Sequence, residues 1–436
     1  MRRENNRVFL LAMWMMFFAV STFGQDSGLL NRYRSRALEY NQDVKAAEKN
    51  IALSKEYEKS AKADYKPKLS AGANFDYTGN PIELSLDLPS SDNPVRFEGR
   101  HLKYGASVSL TQPLYTGGRI REGVKKAQAE GRFALNQAEM IKADISYEAD
   151  LRYWNTVARE EIVDIARSVE KLVKGVRERV EVQLVDRNDL LMAEVKLNDA
   201  RYQLMQAENG YEVARMSLNS FVGEDFESVL PVDTLVVPIY SVGTLPGYME
   251  QATGNRPELR MAQDKISIQE SVRKLNQAQF LPQFYVGLDG SYSSPGYNFK
   301  ADLDPNYAVY AKVSIPLFEW GKRRNEKRAG DYKVAIARDN YNKVKDAVSL
   351  EVQSAYYNYV QAVERVILTE NSLAKACENE EMALERYREG KISIDGVLDA
   401  QMFHQTAQMN FVQSRLTAQI SYSNFVRVLG VDSVKE

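Results

Sequence analysis

Cysteine and histidine are nearly absent from this chain of 436 residues, which contains only Cys377, His101 and His404. A single cysteine cannot form an internal disulfide, so the fold must be stabilised by packing or by assembly. The histidines stand far apart in the sequence, one in a predicted loop and one in a predicted helix. Metal sites and general acid–base pairs need such side chains in groups. The sequence therefore predicts no catalytic residue, no metal site and no cofactor.

Long hydrophobic runs are also missing, with one exception at the N-terminus. The apolar run at 8–20 follows three arginines and precedes the small residues Thr22 and Gly24. This is the pattern of a secretory signal peptide, expected at 1–24, and the run is too short to span a bilayer comfortably. No cysteine follows the expected cut, so no lipid anchor is predicted. The net charge of −2 gives no reason to expect a nucleic-acid partner.

What the sequence does contain is an internal repeat. Residues 111–123 read TQPLYTGGRIREG and residues 314–326 read SIPLFEWGKRRNE, each with Pro-Leu-aromatic, a glycine and then basic residues. Further parallels of this kind divide the chain into repeats. The expected divisions are a signal peptide at 1–24, a first repeat at 25–225, a connecting segment at 226–245, a second repeat at 246–432 and a tail at 433–436.

Each repeat is predicted to have the same order of elements. A helix of moderate length comes first, then two strands, then a very long helix, then a shorter return helix. The return helices place small and apolar residues at steps of three and four, which is typical of a coiled-coil seam. The first helices are expected at 29–65 and 245–280, and the long helices at 119–182 and 322–389. The prediction is a mainly α protein with a small β part, built from duplicated long-helix hairpins.

The four predicted strands alternate apolar and polar residues, so each has one apolar face. An open sheet in lipid would leave two unpaired edges, which hydrocarbon does not tolerate. In a membrane the sheet would have to close with strands of other copies, eight strands from two chains or twelve from three. The alternative is a soluble sheet covered by helices, although the predicted helices run far beyond any sheet that they could cover.

These motifs resemble the TolC-like family of outer-membrane efflux proteins over essentially the whole mature chain. The resemblance is carried by the duplicated plan and by GNRPELRMAQ at 254–263, FLPQF at 280–284, QPLYTGGR at 112–119 and YREGKISIDGVLDAQ at 387–401. It implies a homotrimer that shares a twelve-stranded β-barrel in the outer membrane of a Gram-negative bacterium, with a helical tunnel in the periplasm. It also implies a periplasmic membrane-fusion adaptor and an inner-membrane transporter of the RND or ABC type as partners.

The implied function is that of a passive exit duct in a tripartite efflux or type I-like secretion system, not an enzyme. A soluble periplasmic coiled-coil scaffold is the alternative, but a scaffold has no use for alternating strands. For the duct, the side chains expected to face outer-membrane lipid are Phe75, Val108, Leu110, Val286, Leu288, Val309 and Val313. The residues expected to line the lumen are Asp76, Asp289 and Lys312.

The turns between long and return helices are the adaptor-docking tips that the resemblance implies. The predicted tip residues are Val182, Gln183, Leu184 and Val185 in the first repeat and Gly390, Lys391, Ile392, Ser393 and Ile394 in the second. Family members dock here through a Val-Gly-Leu-like pattern, and this chain departs from it at Gln183, where glycine is usual. The alternative is an ordinary solvated turn.

An acidic run ends the second long helix, whereas its counterpart in the first repeat is basic. Glu378, Glu381 and Glu385 are the predicted tunnel gate, while Lys171 and Lys174 stand opposite Glu378 and Glu381 in the first repeat. The resemblance implies that the second hairpin lines the tunnel entrance. Identical carboxylates from three chains would form a ring there that attracts cations. The alternative is a solvated helix face.

Overall fold

The computed structural model of the chain describes residues 28–86, 95–182, 187–229, 231–235, 243–296 and 302–431. The predicted signal peptide, the tail at 433–436, the first-tip residues Gln183, Leu184 and Val185, and the side chain of Val182 lie outside the described residues. The helices of the first repeat are α1 (Gly28–Tyr40), α2 (Gln42–Ala63), α3 (Arg119–Val182) and α4 (Arg187–Val222). Those of the second repeat are α5 (Leu245–Asn255), α6 (Pro257–Ala278), α7 (Lys322–Arg388) and α8 (Ile394–Leu429).

The long helices α3 and α7 begin at the predicted residues, and α7 ends one residue before the predicted end. Both boundaries follow from local chemistry, because no proline interrupts either helix and a glycine precedes each start. In the described part of the chain, no helix has an apolar stretch long enough to cross a membrane.

The first helix of each repeat is interrupted, which corrects the prediction of continuous helices at 29–65 and 245–280. In the first repeat, the side-chain oxygen of Asn41 accepts hydrogen bonds from the backbone N–H groups of Asp43 at 2.8 Å and Val44 at 3.3 Å. Asn41 therefore caps the start of α2. In the second repeat, Arg256 is extended because Pro257 follows it and disfavours a helical conformation. Pro257 then occupies the first position of α6, where no N–H donor is needed.

The chain folds as two compact units, and each draws on both repeats. The helical unit comprises the described residues of 1–48, 137–259 and 344–436. Its main core joins α1, α3, α4 and α8 through buried side chains that include Tyr33, Tyr153, Leu218 and Val412. The connecting segment packs on this core, since the Tyr153 hydroxyl donates to Asp233 Oδ2 at 2.7 Å. Burial raises the pKa of Tyr153, so this hydroxyl stays protonated and remains a donor.

The sheet unit comprises the described residues of 49–136 and 260–343. It contains an antiparallel sheet of four strands in the order β1-β4-β5-β6, so β1 and β6 are its edges. A separate hairpin pairs β2 with β3. The strands are β1 (Lys68–Tyr77), β2 (Glu83–Leu86), β3 (Val95–Glu98), β4 (Leu102–Thr116), β5 (Gln283–Ser294) and β6 (Asp304–Ser314).

The β2–β3 hairpin adds two short strands to the four that the sequence predicts. Proline, asparagine, aspartate and serine dominate the composition of this segment, and they favour turns over strands. The two strands are only four residues each, too short to give a clear period-two signal.

Candidate functional site

One face of the four-stranded sheet is apolar, and the pairing register shows how its side chains line up. Leu110 on β4 lies opposite Leu288 on β5, and Leu288 lies opposite Val309 on β6. Leu69 on β1 completes this row across all four strands. Opposed residues of antiparallel strands point to the same face, so Phe75, Val108, Leu110, Val286, Leu288, Val309 and Val313 share the apolar face. Large apolar side chains here are exposed within one chain, Val309 to 76%.

The other face of the sheet carries small and polar side chains, including Asp76, Asp289 and Lys312. Asp76 lies opposite Lys103, and Asp289 lies opposite Ser109, which donates a hydrogen bond to it. A sheet that is apolar on one face and polar on the other can separate hydrocarbon from water.

Tyr310 is a residue of the polar face that the sequence analysis missed. Thr111, Gly287 and Tyr310 form one row across β4, β5 and β6. The Tyr310 ring lies over Gly287, where a Cβ atom would come within 2.3 Å of it, and its hydroxyl reaches Thr111 Oγ1 at 3.3 Å. A glycine inside a strand opposite an aromatic residue is the signal that predicts such a contact.

The second hairpin tip is a tight turn with a left-handed glycine. After α7 ends, Gly390 adopts a φ of 71°, and the N–H of Lys391 donates to the carbonyl of Arg386 at 2.8 Å. This pair of features is a Schellman-type helix end. Gly390, Lys391 and Ser393 are exposed, and Ile392 is half-buried.

Ile394 differs from the rest of the predicted tip. Its side chain is only 3% exposed and packs with Leu398, Val176, Leu190 and Tyr387. The expectation that Ile394 presents a docking surface is therefore corrected. It begins α8, and its burial holds the ends of the two hairpins together.

The predicted gate residues Glu378, Glu381 and Glu385 are exposed and share one face of α7. None of the ion pairs found among the described residues involves them. Glu380, which lies between them in sequence, faces the opposite way. It is buried and contacts the ring of His404 on α8. The sequence analysis placed His404 in the seam but missed this partner.

The described residues contain no cluster of side chains that could hold a metal ion. No three His, Cys, Asp or Glu side chains come together there in a way that could hold a metal ion. His101, just before β4, donates one hydrogen bond from Nδ1 to the carbonyl oxygen of Thr78 at 2.9 Å.

A sheet with one apolar and one polar face and long helical hairpins, both present in this chain, are the features expected of an outer-membrane channel protein with a helical periplasmic part. The chain belongs to the outer membrane efflux protein family, whose model matches residues 33–224 and 248–431. The resemblance inferred from the motifs is thereby confirmed, as are the mainly α fold with a small sheet and the outer-membrane location.

Individual relatives are distant in sequence but similar over most of their length. SepC of Pseudomonas putida, a probable efflux pump outer membrane protein, is 20% identical over an alignment of 434 positions that covers 96% of this chain and 85% of SepC. The outer-membrane channel OprN has a TM-score of 0.76 at 18% identity, over 92% of this chain and 90% of OprN. CusC has a TM-score of 0.78 at 16% identity, over 92% of both chains. These structures share the fold.

Proposed function

We propose that three copies of this chain form the passive exit duct of a tripartite efflux or type I-like secretion system. The observation that carries this proposal is the sheet, whose edge strands β1 and β6 are each paired on one side only within the described residues of one chain. Its exposed apolar face suits hydrocarbon, and hydrocarbon does not tolerate open edges. In the outer membrane, β1 of one copy would therefore pair with β6 of the next.

The number of copies follows from the width of the barrel. Two copies would give eight strands, and the interior of such a barrel is only wide enough to be filled by side chains. Three copies give twelve strands and a wider interior. Serine, glycine and the charged Asp76, Asp289 and Lys312 on the polar face suit a water-filled lumen.

The partners in this proposal are a periplasmic membrane-fusion adaptor and an inner-membrane transporter of the RND or ABC type. SepC is named as part of an efflux pump, and a pump needs an energy source. We assign that source to the transporter and the conduit to this chain, which is then not an enzyme. The adaptor would dock at both tips. At the second tip it would contact Gly390, Lys391, Ile392 and Ser393, while the buried Ile394 supports the turn from below.

The tunnel entrance in this proposal is lined by Glu378, Glu381 and Glu385. Two observations support this role for the three glutamates. They share one exposed face of α7, and none of them forms an ion pair among the described residues. Three chains would place these carboxylates around one axis, where they would attract cations.

The proposal is tested by extraction followed by conductance. We expect the protein to fractionate with outer membranes, to require detergent for release and to give stepwise ohmic conductance in planar bilayers. A periplasmic scaffold would be released by osmotic shock without detergent and would give no conductance. That result would replace the duct by the scaffold.

A further inference from the structure

The turn that leads from a strand into a long helix is built differently in the two repeats. We call residues 113–126 the first junction and residues 316–328 the second junction. In the first, Gly117 and Gly118 adopt φ values of 63° and 86°; in the second, Trp320 and Gly321 adopt 48° and 80°. Trp320 thus takes a left-handed conformation that the first repeat gives to glycine. A bulky residue in this region is strained, and such strain persists only where something compensates it.

The second junction also exposes large apolar side chains. Leu317 is 91% exposed, Phe318 72% and Trp320 89%, and the rings of Phe318 and Trp320 meet edge to face at 4.9 Å. In sequence Leu317 continues the apolar alternation of β6 through Val313 and Ile315, which are exposed as well, and Phe318 and Trp320 follow directly. An exposed apolar patch of this kind indicates a contact that one chain does not supply.

Basic residues follow these apolar ones directly. Lys322, Arg323, Arg324, Lys327 and Arg328 are all exposed, and in the described part of the chain only Lys322 forms an ion pair, with Glu319 at 4.0 Å. Glu326 is the other acidic residue of the second junction. The first turn of α7 contains no acidic residue. Cations at a helix N-terminus are opposed by the helix dipole, so this arrangement favours a bound anion.

In the first junction, two of the four basic residues contact one buried carboxylate. There the buried carboxylate of Glu122 forms ion pairs with Arg121 at 3.1 Å and Lys125 at 3.2 Å, and Lys274 lies 3.8 Å from it. Arg121 and Lys125 thus share a buried carboxylate in the first repeat, whereas four of the five basic residues of the second junction form no ion pair among the described residues.

We propose that the second junction anchors the chain to anionic phospholipids of the periplasmic leaflet. Leu317, Phe318 and Trp320 enter the boundary of the acyl chains, while Arg323, Arg324, Lys327 and Arg328 contact lipid phosphates. Tryptophan favours this interface, and basic clusters beside it attract anionic lipids. The inference rests on the proposed function, because the apolar face of β6 must face lipid for its continuation to do so.

Trp320 itself can report on the lipid around it. Beyond the expected signal peptide, the chain has only two tryptophans, and Trp154 is 5% exposed. The protein is reconstituted in bilayers with brominated phosphatidylglycerol or brominated phosphatidylcholine, which quench nearby tryptophans. The signal of Trp154, measured in a Trp320→Phe variant, is subtracted. We expect quenching by both lipids, with an apparent affinity about tenfold higher for phosphatidylglycerol.

Matched variants separate the charges from the rest of the helix. Arg323→Gln/Arg324→Gln/Arg328→Gln is expected to bring the preference to within about twofold of unity. Lys333→Gln/Lys343→Gln/Lys345→Gln removes the same charge from exposed positions further along α7 and should leave the preference intact. Equal quenching by both lipids in the wild-type protein would overturn the anionic site. Absence of quenching by either lipid would also overturn it and indicate that a second copy covers Trp320.

A further variant distinguishes failure of the proposed lipid anchor from failure of the proposed duct. Val309→Trp in the Trp320→Phe background places a probe on the apolar face of β6. Quenching there with none at Trp320 leaves the duct standing and removes the anchor. No quenching at either position removes both.

Discussion

At one layer of the two helical hairpins, Val173 packs with Leu197 in the first repeat, whereas Glu380 contacts His404 in the second. The repeat alignment that pairs residues 189–194 with 396–401 places these two contacts at equivalent positions. The apolar layer is buried, and in the polar layer Glu380 is buried and His404 half-buried, so the position of the seam is kept while its chemistry changes. A duplicated chain can keep one copy of a layer apolar for stability and let the other become polar.

The two strand–helix junctions, at the other end of the long helices, also differ between the repeats. The first is closed by glycines and pairs two of its basic residues with Glu122, whereas the second exposes Trp320 and a basic run in which, among the described residues, only Lys322 forms an ion pair. In both comparisons the first repeat satisfies its side chains internally. The second presents groups that need a partner outside the chain or a special contact within it.

In the sheet the two repeats are expected to be equivalent, so arginine on the apolar face should have the same effect in either repeat. Leu110 and Leu288 come from different repeats and lie opposite each other on the apolar face. Leu110→Arg and Leu288→Arg should each destabilise the inserted state by about 2–4 kcal/mol if they lie near the bilayer midplane. The amount of heat-resistant trimer in outer membranes measures this. Asp289→Arg, one residue away on the polar face, is the control and should be mild. Equal tolerance at 288 and 289 would refute the assignment of the faces.

The polar seam layer can be tested by removing one partner. Glu380→Val leaves the half-buried ring of His404 without its partner and should lower the free energy of unfolding by about 1–3 kcal/mol. Urea unfolding followed by circular dichroism measures the change.

A double variant serves as the control, because it gives the second hairpin the apolar layer of the first. Glu380→Val/His404→Leu recreates the Val173–Leu197 layer of the first hairpin. Replacing a buried polar pair by packed apolar residues is commonly neutral or stabilising, so the double variant should recover the loss. If it remains as unstable as the single variant, the two layers are not equivalent.

The elements that sequence predicted well are those governed by local rules. The bounds of α3 and α7 follow from uninterrupted helix formers and flanking glycines, and the strands follow from period-two alternation. The interruption at Asn41 depends on a side chain capping the backbone, and uniform helix propensity on both sides hides it. Burial of Ile394 and the Glu380–His404 contact depend on tertiary packing between hairpins, which periodicity within one helix does not determine.

The smallest expected effect concerns the charge contrast between the hairpins. Glu381→Ala should lower the cation selectivity of single channels on the order of two- to threefold, because it removes one carboxylate per chain from the proposed ring. Lys171→Ala, at the equivalent position to Glu378 in the first repeat, should change selectivity less. Unchanged permeability ratios in a variant with Glu378, Glu381 and Glu385 all replaced by alanine would end the gate hypothesis.

The central claim is that β1 of one copy pairs with β6 of the next. Within one chain these edges are separated by two strands, roughly 14 Å, which is too far for a disulfide. In a Cys377→Ser background, cysteines are introduced at Leu69, Ala71 or Ala73 on β1, each combined with Val309, Ala311 or Val313 on β6. All six positions lie on the apolar face, so their side chains would point to the same side of a closed sheet, and the nine pairs sample several registers. We predict that the best-aligned pair gives covalent trimers on denaturing gels, lost on reduction. Monomers alone for every pair, or dimers that never proceed to trimers, would contradict the account.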